Sequence, residues 1–470
     1  MSIAETALRQ LMAGVGSTTP ESIEIDEGRS ALQTPFRVAE GAAAALAAGA
    51  TLAAEIWQMR SSQTQQVRVS TREAAASLIS FMFHKFEDAS RAPQGFDAGQ
   101  RQARIGGFYA TQDKRFVYLH PSFPTTTAKL LRLLDCESDK EAVAATVKGW
   151  KARDLENAIV QAGVCGAMLR SADEWDQSQQ GRILASLPVV EITKIADSQP
   201  EPFDPDGDQP LSGIRVLDLT RVLAGPTCAR TLAQYGADAM RIGSPNLPSV
   251  PSFVADTGHG KLSAFLDLGQ SQDVERLRHL VSESDVFSQG YRSGALDRYG
   301  FSAIDVARLR PGIIYTSINC YGHEGDWRRR PGWEQLAQTV TGMADVQGGE
   351  GAPALLPCAP TDYTTGYLAA FGTLVALKRR AQYGGSYLVR ASLSQTGMWL
   401  RKLGIAESDW AERVVPLSRE ETDEFSINSD TGFGPMVHLR PPVQLSLTPT
   451  RWRRPVVPLG THAPVWPSAT

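Results

Sequence analysis

Downstream of residue 210 the chain repeats one rhythm: a short apolar run, a turn marked by Gly or Pro, a helical stretch, and another apolar run. Ile214–Leu219, Ala239–Ile242, Ser263–Leu268, Asp285–Phe287 and Ile313–Ile318 are the apolar runs, and Ala224–Tyr235 and Ser271–Ser282 read as helices. The runs have the length of strands, and a helix between two strands returns the chain to the end from which it left, so the strands lie parallel. The fold class is therefore α/β, a doubly wound parallel sheet covered by helices. Open sheets of this kind bind ligands beyond the carboxyl ends of their strands. That puts Val222, Leu223, Ala224 and Gly225, just after the first strand, where a ligand can rest against backbone. The turn lacks the G-x-G-x-x-G pattern, so a standard NAD site is not expected.

A chain of 470 residues exceeds one ordinary core. The segment 199–209 (QPEPFDPDGDQ) is nearly devoid of apolar residues and forms the clearest linker. The expected organisation is a helix-and-strand segment over 1–98, a smaller α+β domain over 99–200, a linker at 201–210, the sheet domain over 211–410, and a tail over 411–470. In the smaller domain, Arg104–Leu119 reads as a hairpin turning at Asp113-Lys114, followed by helices. The stretch 418–434 reads as an exposed loop.

The two halves echo each other. Val67-Arg68-Val69-Ser70 matches Val389-Arg390-Ala391-Ser392, and at the same offset of 322 residues Thr51-Leu52-Ala53-Ala54 faces Thr373-Leu374-Val375-Ala376. Helix, polar turn, strand and helix recur in both, which points to an internal duplication.

Net charge of −4 supplies no general attraction to nucleic acid or to an anionic membrane. The alanine-rich stretch Ala42–Ala54 is too weakly apolar for a bilayer span. Five scattered cysteines, with no C-x-x-C, read as reduced residues of a cytoplasmic protein. Cys320 and His323 have C-x-x-H spacing without a second ligand pair, so no metal site is expected.

Asp362 stands just before a long apolar helix. It reads as an N-cap, whose carboxylate satisfies free N–H groups, or as a carboxylate nucleophile held at the positive end of the helix. Glu334 begins another helical run. Arg328-Arg329-Arg330 and Arg451–Arg454 are solvated faces or phosphate-binding clusters. His323 sits on a loop and reads as incidental.

These pieces add up to a resemblance. LSGIRVLDLTRVLAGPTCARTLAQYGADAMRIGSP, GKLSAFLDL, SDVFSQGYRSGALDRYGFS, PGWEQLAQTVTGM and TDYTTGYLAAFGTLVALKRR follow one another as in the family III CoA-transferases, and LSLTPTRWRRPVVPLGTH resembles their C-terminal end. Upstream, KRFVYLHPSF and SADEWDQSQQGRILASLPVVEI resemble that family's small domain, which here precedes the sheet domain rather than following it. The chain looks like the back half of one copy joined to the front half of another.

The resemblance implies an enzyme that moves CoA between an acyl-CoA and a carboxylic acid; the alternatives are an acyl-CoA racemase or lyase of the same superfamily, or a degenerate CoA-binding protein without turnover. Asp362 would be the nucleophile, passing through an acyl-aspartyl anhydride and an aspartyl-CoA thioester, with Glu334 as an acidic neighbour. Val222, Leu223, Ala224, Lys261, Gly290, Tyr291 and Arg298 fall on CoA-contacting positions. Coenzyme A enters as a substrate, no permanent cofactor is implied, and a homodimer is carried over; the family interlocks its two chains, and the changed domain order here leaves the interlocking open. The family's strand-end Lys-x-Glu reads Arg241-Ile242-Gly243 here, Gly290-Tyr291 replaces its Asn-Phe, and Ser293 replaces a Pro. The histidine of the related racemases would fall on Trp333, which cannot act as a base, and Glu40 stands opposite Asp362 in the upstream echo.

Overall fold

The computed structural model describes residues 1–93, 104–121, 123–349 and 351–467. Its centre is a seven-stranded sheet built from β1 (Glu191–Ala196), β2 (Arg215–Leu219), β3 (Asp238–Gly243), β4 (Lys261–Phe265), β5 (Val286–Gln289), β6 (Ile314–Asn319) and β7 (Ser386–Ser392). The spatial order is β4-β3-β2-β5-β6-β7-β1. β2 to β7 are all parallel, with Val216 opposite Val286 and Ile314 opposite Tyr387, in the winding order of a Rossmann-like sheet. The chain moves outward from β2 through β3 to β4, then jumps back to β5 on the other side of β2. That reversal opens a crevice beyond Leu219 and Gln289. Val216, Leu217, Val286 and Phe287 are fully buried, as strands covered on both faces require.

β1 departs from the expected boundaries. It falls within the segment read as the smaller domain, yet it pairs antiparallel with β7 at the sheet edge. Its residues are half-buried or exposed, which suits a strand covering an otherwise free edge. The 98/99 boundary lies outside the described residues.

Two helices of 24 residues cross beside the sheet, α1 (Val38–Ser61) and α4 (Pro360–Tyr383). Both ends of α1 map onto those of α4 at the offset of 322. The strand Val67–Ser70 and the helix Thr71–Ser77 follow α1 as β7 and the helix Leu393–Lys402 follow α4. Ser70 and Ser392 each cap the next helix through the side-chain hydroxyl. The echo between the two halves thus extends through three consecutive elements. Small residues let α1 and α4 pack into one core that includes Ala44, Ala47, Leu368 and Leu374. Among the described residues α1 alone is long and apolar enough to cross a membrane, and it is mostly buried in this core.

The smaller unit pairs Gly107–Ala110, Phe116–Leu119 and Gly166–Met168 in an antiparallel sheet, with the expected hairpin turning at Lys114 (φ 59°). Its helices close a separate core around Leu130, Val147, Leu155 and Ile159. The stretch 418–434 is not simply a loop. Ser418 and Glu421 form a capping box for a short helix, and Ser426–Thr431 pairs with Gly434–Leu439, which also pairs with Lys85–Phe86. The S-x-x-E signal was in the sequence; the partner strand lies more than 300 residues away and left no local trace.

Candidate active site

The crevice beyond β2 and β5 is a cavity of about 400 Å³. Val222, Ala224, Gly225, Gly290 and Tyr291 line it, as do Arg221, Arg292, Arg328 and Arg330. Val222 has φ 70°, a conformation that a β-branched residue adopts only under constraint from its surroundings. The constraint comes from the tight exit of β2 into α2 (Ala224–Gln234): a Cβ on Gly225 would meet Thr220 at 2.3 Å. The guanidinium of Arg221 lies 4.7 Å from the Phe123 ring centre and donates to the Pro248 carbonyl, so its cation is fixed at the cavity wall.

Asp362 lines this cavity from the first turn of α4. A Cβ at Gly366, one turn on, would meet the Ala224 carbonyl oxygen at 2.6 Å, so only glycine allows α4 to cross α2 this closely. The crossing brings the Asp362 carboxylate to the Ala224 amide, which hydrogen-bonds it.

Asp362 is not the cap of its own helix. Glu334, first residue of α3 (Glu334–Val340), reaches across and takes that role. Its carboxylate accepts from Thr361 Oγ1 at 2.6 Å, from the Thr361 amide at 3.2 Å, from the Asp362 amide, and from Gln338 Nε2 at 2.9 Å. Four donors converge on Glu334, and the Asp362 carboxylate is left for the cavity. The N-cap reading of Asp362 is corrected in this way.

A second cavity, about 410 Å³, meets the first at Asp362 and Trp333. Leu223 and Glu334 line it, with Phe81, Phe253, Leu355 and Leu356 among its apolar walls. Trp333 stacks on His120, ring centres 4.4 Å apart and planes 19° apart. His120 was missed by sequence reasoning, because the small unit gives no local sign that its strand end reaches this cavity.

Burial drives the electrostatics. Asp362 is 6% exposed, and its pKa is raised well above the ordinary carboxylate range by burial first and the Glu334 charge second, with the Ala224 amide opposing. Burial also raises Glu334, against the hydrogen bonds from Thr361, Gln338 and Asp362. Cys320 lines the first cavity, and burial first, then the Asp362 and Glu334 charges, push its thiol well above the usual range, so it stays protonated. Burial pushes His120 down to about 3 and it stays neutral.

Two expected CoA contacts stand away from both cavities. Lys261 is 2% exposed, and its Nζ donates to Asp218 Oδ2 and to the Pro226 carbonyl, both at 2.7 Å. It ties β4 to β2 and to the start of α2, and a buried ammonium requires such partners. Arg298 is exposed on the turn Asp297–Tyr299, its guanidinium 4.7 Å from the Tyr299 ring centre. Arg328 and Arg330 line the first cavity, whereas Arg451 and Arg453 pair with Asp208 and Arg454 with Asp238. His323 hydrogen-bonds Ser317 at 3.0 Å and faces neither cavity.

Residues 5–200 and 211–428 match the model of CoA-transferase family III. An acyl-CoA transferase of Gibberella moniliformis is 36% identical over 274 residues, 55% of this chain and 48% of that protein. The acetyl-coenzyme A transferase nodX of Hypoxylon pulicicidum is 31% identical over 342 residues, 67% of this chain and 58% of its own length. The β subunit of a succinyl-CoA–L-malate CoA-transferase from Chloroflexus aurantiacus is 30% identical over 201 residues, 40% of this chain and 50% of the subunit. The chain spans about half the length of these curated relatives. With both of its matched segments accounting for most of the sequence, the chain belongs to CoA-transferase family III.

Proposed function

We propose that this chain moves coenzyme A from an acyl-CoA to a carboxylic acid with Asp362 as the nucleophile. The observation that carries the reading is the division of labour at the mouth of α4: Glu334 accepts the helix amides, and the Asp362 carboxylate lines both cavities. A carboxylate oxygen of Asp362 attacks the thioester carbonyl, the C–S bond breaks, and CoA leaves as thiolate. The thiolate attacks the aspartyl carbonyl of the anhydride and expels the donor acid as its carboxylate. The acceptor carboxylate attacks the aspartyl-CoA thioester, forming a second anhydride and freeing thiolate, which attacks the acceptor carbonyl and restores Asp362. Each step exchanges one anion for another, so no proton is consumed. The Ala224 amide, already on the Asp362 carboxylate, is a donor for charge developing there.

The four arginines of the first cavity suit the phosphates of CoA, with Val222, Ala224, Gly290 and Tyr291 against its thiol arm and Leu223 on the acyl side. Lys261 supports this arrangement through Asp218, and Arg298 has no part in it. Wild-type protein given acyl-CoA without an acceptor is expected to release one equivalent of free donor acid per site and stop, with CoA retained. Asp362→Asn is expected to release none. Release by that variant at the wild-type rate would end the proposal.

A further inference from the structure

The two cavities that meet at Asp362 are of similar volume and opposite chemistry. Four arginines line the first; among the described residues neither Arg nor Lys lines the second. Phe81 and Phe253 pack edge to face at 5.1 Å on one wall of the second cavity, and Leu355 and Leu356 lie on another. Of its polar side chains, Glu334 holds the α4 amides, and Gln338 spans Glu334, the Cys358 carbonyl and the Leu356 amide. Met82, 68% exposed, adds apolar surface at the rim.

We infer that the second cavity receives the acyl chain and selects an uncharged, apolar one over a dicarboxylic acyl group. The inference rests on the proposed nucleophile and names its substrate class. A distal carboxylate placed here would lose water beside Asp362 and Glu334 and gain no counter-ion, a loss that an apolar chain of the same length does not suffer. The wall formed by Ile79, Phe81 and Met82 comes from the segment that follows α1, so the upstream half of the duplication contributes to acyl choice at the downstream nucleophile.

Butyryl-CoA and succinyl-CoA have the same chain length and differ at its far end, which makes them the deciding pair. With a common labelled acceptor, kcat/KM is expected to rise about fourfold per methylene from acetyl-CoA through butyryl-CoA. Succinyl-CoA is expected to fall on the order of 100-fold or more below butyryl-CoA. The exposed position of Met82 tolerates a cation, and Met82→Arg is expected to raise the succinyl-to-butyryl ratio at least about tenfold. Succinyl-CoA equal to or better than butyryl-CoA, or a ratio unmoved by Met82→Arg, overturns the inference while leaving the nucleophile standing. Failure of every donor to give the single-equivalent release of acid removes the nucleophile, and this inference with it.

Discussion

α1 and α4 have equal length, the same spacing to a following strand and helix, and a carboxylate at the third helical position, yet their mouths differ. At α4 a second carboxylate, Glu334, arrives from α3 and accepts the Thr361 and Asp362 amides. At α1 Glu40 accepts its own backbone amide and pairs with Arg37 at 3.3 Å. Both acids are raised by burial, and Glu40 also opens onto a cavity, about 520 Å³, beside Arg29 and Arg413. What α1 lacks is the carboxylate that would release Glu40 from capping and the glycine that draws α4 over Ala224. Ala44 stands where α4 has Gly366. At α4 another residue takes over the capping and leaves the Asp362 carboxylate facing the cavities; at α1 none does.

The largest effect expected from that contrast separates the two acids. Asp362→Asn should lower the rate of CoA transfer on the order of 10⁴-fold, while Glu40→Gln stays within about twofold of wild type. A comparable loss from Glu40→Gln would make the upstream mouth a second reaction centre and break the comparison.

Glu334→Gln should lower kcat on the order of 100-fold, because a neutral amide holds the α4 amides less firmly. The same change should move the acid limb of the pH–rate profile to lower pH. Asp362 must be ionised to attack, so activity is lost as pH falls through its raised pKa, and removing the Glu334 charge removes one cause of that rise. A limb that stays in place would mean that the coupling does not govern the nucleophile.

Gly366→Ala should cost about 1–3 kcal/mol in stability by overpacking and about tenfold in kcat, as Asp362 is pushed off the Ala224 amide. Ala44→Gly should cost about 1 kcal/mol by helix propensity alone and leave kcat unchanged. Equal kcat in the two variants would remove the argument from close approach.

The smallest effect is thermodynamic. A carboxyl whose pKa is raised by folding weakens the fold at pH values above its unfolded pKa, so Asp362→Asn should melt higher than wild type at neutral pH. The gain should vanish near pH 4 and below, where the carboxyl is protonated in both states. Glu40→Gln should alter stability by about 1 kcal/mol or less, the scale of a part-exposed ion pair. Paired melting curves across this pH range decide the matter.

The sheet was legible because its parallel strands are buried on both faces and therefore appear as apolar runs between helices. Gly290 and Tyr291 were reached only through the family resemblance, whereas Val222 was legible through strand-end position and Asp362 through its place before an apolar helix. Its release from capping was not legible, since that depends on Glu334 arriving from another helix. The burial of Lys261 was hidden for a similar reason: Asp218, its partner, reads locally as one polar residue within an apolar strand. His120 and Phe81 belong to segments whose own patterns describe a hairpin and a helix end, and only tertiary packing carries them to the second cavity.

Trapping tests the central claim most directly. Wild-type protein incubated with acyl-CoA and hydroxylamine should yield an aspartyl hydroxamate at residue 362, found by peptide mass spectrometry, with Glu40 unmodified. A hydroxamate on Glu40 or Glu334, or full CoA transfer with Asp362 never trapped, would contradict the account.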